Sequence, residues 1–379
     1  MRSMILAGLG ALVSLLPPAP PPPAPPKSQR WVRANFHAHT RSGPLRDDGA
    51  EEPRALHAAL RAAGVELSVH TPHSTLNRGR EGALRAQRAL EEGLALPGLT
   101  VAVGEELTVA PGPRFQAETA VMGHAAPGNL NHLSLFGMRG FVPSETSLAR
   151  ACEQVHREGG VCIVNHPGPG PLMWEPGLWE SQGARVDALE VYNGQALAAA
   201  GLHFEARYLQ ATAYSGLGLR LAAVTGADTH GPQAVAVARA RLRPYESVLA
   251  LLGLEAPTTG TARPELLAQT LVAAARASEA EVAAALRARR TVALYGLGDL
   301  TVEVPGLGEV RRGARAVLRL RLSRALAEVT LYREGQVVRT WQRAAEVTHE
   351  EAVSRPCAYV FGARDGAGRL LTSALWYEP

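Results

Sequence analysis

Along the first three quarters of the chain, short apolar runs alternate with segments of helical periodicity. Residues 31–36 and 65–69 read as strands, and residues 53–63 between them read as a helix, with Pro53 at its start and Gly64 just beyond its end. The strand pattern recurs at residues 161–164, 186–192, 219–225 and 291–295. Alternation of this kind predicts a parallel α/β sheet or barrel over residues 27–297.

After residue 297 the pattern changes to one of strands alone. Residues 316–322 alternate between apolar and polar side chains, which is typical of a half-buried strand. Residues 329–341 resemble a hairpin that turns at Glu334-Gly335, and further strands are predicted at residues 358–361 and 370–377. We therefore expect a small β-sandwich over residues 298–379.

The first 26 residues have the pattern of an export segment. Arg2 precedes an apolar run over residues 4–16, which is short for a membrane span and typical of a secretory signal. No good A-x-A cleavage site follows, so an uncleaved anchor is the alternative. The proline-rich stretch up to Pro26 predicts an extended spacer. We expect the protein to be exported, periplasmic or extracellular, with no membrane contact beyond such an anchor.

Charge and cysteine usage exclude some classes of function. The 39 basic and 35 acidic residues are spread along the chain without a basic block, which gives no case for nucleic-acid binding. Cys152, Cys162 and Cys357 lie far apart and form no C-x-x-C pair. This argues against a disulfide scaffold or a cysteine-based zinc site.

Histidine carries the clearest chemical signal. His37 and His39 follow the first predicted strand and point to the same face, where both imidazoles can reach one metal ion. The other predicted strand ends or nearby positions carry His73, Glu106, His124, His166, Asp228 and His230. In an α/β barrel these ends converge on one mouth, so the eight side chains can together hold two or three divalent ions.

The order of these motifs resembles that of the PHP (polymerase and histidinol phosphatase) superfamily. The motifs are H-x-H, T-x-H, G-x-E, G-H, N-H-P and D-x-H, and residues 190–193 are similar to the family's E-x-Y-N segment. The resemblance covers residues 31–296 and implies a distorted (β/α)7 barrel with a di- or trinuclear metal site. Residues 371–377 are similar to the β-sandwich end of CehA/McbA-type members.

The resemblance also implies which residues bind each ion. The first ion would be bound by His37, His39, Glu106 and Asp228, the second by Glu106, His124 and His166, and a third by His73 and His230. Zn²⁺, Mn²⁺ and Fe²⁺ all suit this mixture of imidazole and carboxylate. The chain departs from the family at Pro72, where T-D-H is usual, and in the loop after His39, which lacks an extra histidine.

Several neighbouring residues are predicted to lie outside the site. Glu105 should face away from Glu106, and His70 is out of phase with His73. Asp47 and Asp48 could replace the missing loop histidine, but loop carboxylates are more often solvated. The histidines assigned to structural or surface roles are His57, His132, His156, His203 and His349.

The predicted function is that of an exported metal-dependent hydrolase. Two neighbouring ions lower the pKa of a bridging water, and the resulting hydroxide would attack a small phosphoester while His73 or His230 protonates the leaving group. A CehA-like hydrolase of carboxyl or carbamate esters is one alternative. A non-catalytic protein that binds metal or a partner is another.

Overall fold

The computed structural model of the protein describes residues 30–41, 43–109, 132–144, 146–167, 186–201, 203–213, 219–231, 233–243 and 261–379. These residues form a mixed α/β structure, as the sequence predicts in outline. The helices are α1 (Pro53–Ala62), α2 (Leu84–Leu94), α3 (Leu148–Arg157), α4 (Gly194–Ala200), α5 (Glu205–Thr212), α6 (Ala234–Leu242) and α7 (Glu279–Arg287). None of the helices in this part of the chain is long and apolar enough to cross a membrane.

The strands form two sheets. Those that precede residue 298 are β1 (Trp31–Asn35), β2 (Leu67–His70), β3 (Thr100–Val103), β4 (Glu105–Thr108), β5 (His132–Phe136), β6 (Val161–Val164), β7 (Ala188–Asn193), β8 (Ala222–Gly226), β9 (Ala268–Ala273) and β10 (Thr291–Tyr295). Those that follow are β11 (Val302–Glu303), β12 (Val310–Arg312), β13 (Arg315–Arg333), β14 (Gln336–Ala352), β15 (Cys357–Asp365), β16 (Gly368–Thr372) and β17 (Leu375–Glu378).

The larger sheet has the order β11-β13-β15-β16-β10-β9-β1-β2-β3, with β14 paired to β13, and β17 paired to β15 and β12. Its β1-β2-β3 part is parallel, whereas β9 and β10 run antiparallel to their neighbours. The smaller sheet, β4-β5-β6-β7-β8, is parallel only from β6 to β8. The two sheets are therefore mixed, and the expectation of a parallel sheet was wrong. Alternation of strands and helices predicts parallel pairing only where a helix connects two neighbouring strands.

The local patterns explain why these elements form. Helix α3 buries Leu148, Ala151, Cys152 and Val155, which have the i, i+3, i+4, i+7 spacing of a single apolar stripe. Strand β6 is buried along its whole length, as expected for a strand covered on both faces. Both apolar patterns are therefore buried, one as a stripe along a helix and the other as a whole strand.

Backbone hydrogen bonds join the two sheets at two places. Near β1 and β8, Phe36 N donates to Thr225 O at 3.4 Å, and Asp228 N donates to His37 O at 2.8 Å. Near β2 and β4, Glu106 N donates to Pro72 O at 3.1 Å. These bonds bring the carboxyl ends of β1, β2 and β8 to the start of β4.

The C-terminal strands continue the larger sheet. Strand β10 pairs with β16, with Val292 opposite Thr372, so hydrogen-bonded strands cross the predicted boundary at residue 298. The predicted hairpin is present: β13 and β14 turn at Glu334 and Gly335, whose φ angles of 50° and 80° are those of a type I′ turn. The distorted (β/α)7 barrel, the separate β-sandwich and the division into domains stay predictions.

Candidate metal centre

The H-x-H pair lies directly beyond the end of β1 and is fully buried. His37 and His39 are 1% and 0% exposed, and their Nε2 atoms are 3.1 Å apart. Both Nε2 atoms lie 3.4 Å from Oδ1 of Asp228. The pair therefore shares one face, as strand periodicity predicts, and that face meets a carboxylate from the end of β8.

Glu106 occupies the middle of the site. Its Oε2 atom lies 3.3, 3.2 and 3.1 Å from ring nitrogens of His37, His39 and His73, respectively. Its Oε1 atom faces Nδ1 of His132 at 2.6 Å and Nε2 of His166 at 3.2 Å. One buried carboxylate thus lies between five imidazoles, which is the arrangement that a ligand bridging two ions requires.

Glu105 faces the other way, as the alternation along β4 predicts. Its Oε2 atom accepts a hydrogen bond from the backbone N–H of Val142 at 2.8 Å. His70 is likewise turned away from the ring of histidines and contacts Asp47 and Glu91. Neither residue faces the space between the imidazoles.

Asp228 and His230 approach the centre from the loop after β8. Asp228 has a φ of 54°, in the left-handed region, and its Oδ2 atom accepts a hydrogen bond from Asn193 Nδ2 at 3.0 Å. His230 Nδ1 lies 3.5 Å from Asp228 Oδ1, and its Nε2 lies 3.3 Å from Asp48 Oδ1. The D-x-H motif therefore presents both side chains to the same space.

Both loop carboxylates lie beside the site histidines, but only Asp47 is buried, so the expectation of a solvated carboxylate was wrong for Asp47, whereas the Asp48 side chain is 47% exposed. Asp47 Oδ1 lies 2.9 Å from Nδ1 of His39, and Asp48 Oδ2 lies 3.6 Å from Nε2 of His73. The loop folds inward because Ala50 N donates to His230 O at 3.2 Å. A contact between residues so far apart in the sequence cannot be predicted from the local pattern of the loop.

His132 is a candidate metal ligand that the sequence analysis missed. It is buried in the first position of β5, opposite Thr108 of β4, rather than in a structural or surface role. Its Nδ1 atom is buried and makes no aligned hydrogen bond among the described residues, although Glu106 Oε1 is close. His124, which was predicted for this group, lies outside the described residues.

The E-x-Y-N segment supports the ligands from behind. Glu190 Oε1 lies 3.3 Å from Nδ1 of His37, and Glu190 Oε2 accepts hydrogen bonds from the backbone N–H of His166 at 2.6 Å and from Asn193 Nδ2 at 3.2 Å. These contacts leave Nε2 of His37 directed at Glu106 and Asp228. His166 itself has a φ of 24°, an uncommon backbone conformation for a residue with a side chain.

Burial and charge act in opposite directions on these groups. Burial alone would lower the pKa of His37, but Asp228, Glu106 and Glu190 outweigh it and raise that pKa well above its ordinary value. Burial alone would raise the pKa of Glu106, but His132, His37 and His73 hold it well below its ordinary value. The carboxylates and imidazoles of the centre therefore favour each other's charged forms.

The donor atoms of this centre fall into four overlapping groups, each with all ligand atoms within 4.8 Å of one another, and a fifth group, His156, Cys162 and Asp187, shares no residue with them. The four groups are His37, His39 and Asp228; His37, Glu106 and His166; His73, Glu106 and His132; and His39, Asp48, His73 and His230. Imidazole nitrogens and carboxylate oxygens are the ligands that Zn²⁺, Mn²⁺ and Fe²⁺ accept. Together with Nδ1 of His132, which makes no aligned hydrogen bond among the described residues, this donor set fits two or three divalent ions.

The cluster opens into a cavity of about 350 Å³. It is lined by Asp48, His73, Thr75, Leu76, Glu106, Thr108, His132, His166, Asp228 and His230. His37 and His39 lie behind this surface, whereas His73 and His230 stand at the wall, with side chains 14% and 24% exposed. A small molecule in the cavity would therefore contact His73 and His230 before His37 and His39.

Comparison with known proteins gives distant similarities. No family model matches the chain, and no curated protein matches it. Among solved structures, a two-domain protein from Bacteroides vulgatus that contains a predicted PHP-like metal-dependent phosphoesterase is 16% identical over 93% of this chain and 95% of its own, with a TM-score of 0.43.

Two further structures resemble a part of the chain. An amidohydrolase from Chromobacterium violaceum, with bound sulfate and no metal, is 17% identical over 52% of this chain and 88% of its own, with a TM-score of 0.33. A protein from Bifidobacterium adolescentis assigned as a metal-dependent phosphoesterase is 15% identical over 52% and 87%, with a TM-score of 0.32. These values are too low to establish a shared fold or activity.

Proposed function

We propose that the protein is a metal-dependent hydrolase with a PHP-type site that cleaves small phosphoesters. The observation that carries this proposal is the position of Glu106, a buried carboxylate whose Oε2 atom faces three imidazoles and whose Oε1 atom faces two more. Imidazole nitrogens and carboxylate oxygens gathered in this way are the ligands that divalent cations take, which supports bound metal.

The chain's residues divide into sets for separate ions. His37, His39 and Asp228 suit one ion, and Glu106 suits a bridging role toward a second. His132 and His166 complete the set for the second ion, with His132 in the role first expected of His124. When bound, neighbouring divalent ions supply Lewis acidity and a nucleophilic water near neutral pH.

His73 and His230 are the candidates for proton transfer. Both line the cavity and flank Asp48, within 3.6 and 3.3 Å, respectively. Burial lowers the pKa of His230, but Asp228 and Asp48 outweigh it, so the pKa is raised, which favours a proton on the ring. A ring of the pair that binds no metal would donate this proton to the leaving group.

A phosphoester suits the size and chemistry of the cavity. Its volume of about 350 Å³ lies at the lower end of that found for small-molecule sites. The tetrahedral phosphate offers several oxygens that adjacent cations can hold at once. A carboxyl or carbamate ester offers one carbonyl oxygen to the same ions and is the competing substrate class.

Turnover by the purified chain tests this proposal. The protein would be loaded in turn with Mn²⁺, Zn²⁺ and Fe²⁺ and offered nitrophenyl phosphate mono- and diesters, nitrophenyl acetate and a naphthyl carbamate. We expect chelator-sensitive release from the phosphates, loss of that release in His37→Ala and His39→Ala, and full activity in the control His349→Ala, which alters a histidine of β14. Release from the carboxyl or carbamate esters alone would overturn the phosphoesterase assignment. Silence with metal bound would favour a non-catalytic role.

We also propose that the protein is exported. The support is the pattern of residues 1–26, which lie outside the described residues. A reporter fused to the C-terminus should be active in the cell envelope or outside the cell. A reporter found only in the cytoplasm would contradict export, and deletion of residues 4–16 serves as the control.

A further inference from the structure

A chain of buried hydrogen bonds leads away from the metal centre, behind His39. Asp47 Oδ1 lies 2.9 Å from Nδ1 of His39, and Asp47 Oδ2 lies 2.9 Å from Nε2 of His70. The other ring nitrogen of His70 lies 2.7 Å from Oε1 of Glu91. All four residues are buried, so water does not compete for these contacts.

The carboxylates on either side of His70 determine which of its ring nitrogens carry protons. Because both ring nitrogens of His70 face carboxylate oxygens, both carry hydrogen and the ring is a cation. Burial opposes this, but Asp47 and Glu91 raise the pKa of His70 to about 9. The backbone N–H groups of Thr40 and Asp48 donate to the two carboxylate oxygens of Asp47, each at 3.0 Å. Asp47 is therefore an acceptor, and Nδ1 of His39 is the donor in the contact between them.

Residues of helices α1 and α2 form the far end of this series of hydrogen bonds. Glu91 lies on α2, where Gln87 Nε2 donates to its Oε1 at 2.9 Å. His57 of α1 places its Nε2 atom 2.9 Å from Glu91 Oε2, without the alignment of a hydrogen bond. Residues of both helices therefore contact the Glu91 carboxylate.

We propose that Asp47, His70 and Glu91 form a positioning chain that holds Nδ1 of His39 protonated and leaves its Nε2 free to bind metal. These three residues thereby set the affinity with which His37, His39 and Asp228 bind their shared ion. This inference rests on the proposed metal centre. It assigns a shared role to His70 and Glu91, neither of which is among the grouped donor atoms.

The test measures zinc affinity on the full chain, without substrate, by competition with a chromophoric chelator. The variants are Asp47→Asn, His70→Gln and Glu91→Gln. Loss of partners behind a ligand typically weakens metal binding about 10- to 100-fold, and we expect that range for the first two and a smaller loss for Glu91→Gln. The matched control is His349→Gln, which removes another imidazole–carboxylate contact, to Glu351 at 3.1 Å, lies outside the grouped donors and should leave zinc affinity unchanged.

A second readout separates positioning from general destabilisation. Nitrogen-15 NMR of the metal-free protein, at a pH high enough that the His39 ring is neutral, should show His39 protonated at Nδ1 in the wild type and in His349→Gln, and a mixture of tautomers in His70→Gln. Glu91→Gln has nearly the same shape as the wild-type side chain and carries the test if the other variants fail to fold. Folded variants that bind zinc like the wild type would overturn this inference alone. A wild-type chain that bound no zinc would overturn it together with the proposed function.

Discussion

Nδ1 of His132 lies 2.6 Å from Oε1 of Glu106, and the two atoms are not aligned for a hydrogen bond. Ligand atoms of these two residues and of His73 lie within 4.8 Å of one another. A cation bound by all three would satisfy the imidazole nitrogen and the carboxylate at once. His132 therefore belongs with the metal-binding groups.

Replacing His132 by alanine should remove one ligand of this group. We expect the purified His132→Ala protein to retain fewer metal equivalents and to lose turnover by about 100-fold or more, because loss of a direct ligand exceeds the effect of losing a supporting partner. Metal content by mass spectrometry and turnover of nitrophenyl phosphate check this. Alanine at His203, which lies outside the grouped donors, is the control, and an unchanged metal content in His132→Ala would remove His132 from the centre.

The sequence analysis missed His132 because it sought ligands where strands end. That rule holds for parallel strands, whose carboxyl ends meet at one edge. Strand β5 runs antiparallel to β4, so its first residue, not its last, lies at this edge. His37, His39, Glu106 and Asp228 follow the rule and are brought together as predicted. The direction of β5 depends on pairing between distant segments, which the local pattern does not contain.

Metal binding should release protons. Carboxylates raise the pKa of His37, His39, His166 and His230 above the ordinary value, although burial opposes this at each ring. A histidine must lose its proton at the ligating nitrogen before it binds metal, so affinity should rise with pH by about tenfold per pH unit for each proton released. Zinc titration calorimetry in two buffers of different ionisation enthalpy measures the number of protons. Equal heats in both buffers would contradict proton release.

Gly226 is required by the close approach of β8 to the centre. A Cβ atom at this position would lie 2.2 Å from Cβ of His37 and 2.3 Å from Oε1 of Glu190. Gly226→Ala should displace His37, weaken zinc binding and cost about 1–3 kcal/mol in the free energy of unfolding. Gly93→Ala in α2, where a Cβ meets nothing within 4 Å, is the control and should bind zinc normally. Wild-type zinc affinity in Gly226→Ala would show that the backbone can yield here.

The roles of Asp47 and Asp48 show a second limit of the sequence. A short acidic stretch in a loop is compatible with a solvated turn, and only the fold shows that Asp47 is enclosed between His39 and His70. The same holds for the C-terminal strands, whose alternation predicts strands but not that β16 pairs with β10. Local periodicity specifies elements, whereas partners across the sheet follow from the packing of the whole chain.

His70 should make the stability of the metal-free protein depend on pH. Asp47 and Thr40 face its Nε2 and Glu91 faces its Nδ1, and the carboxylates raise its pKa from the ordinary 6.5 to about 9 against the effect of burial. A raised pKa in the folded state stabilises the protein fully below about pH 6.5, and that stability is lost as pH rises toward 9. The contribution is on the order of 3 kcal/mol. Denaturant unfolding of the wild type and His70→Gln across this interval measures it: the difference in unfolding free energy between them should shrink as pH rises, and a constant difference would show that His70 is not charged in the folded protein.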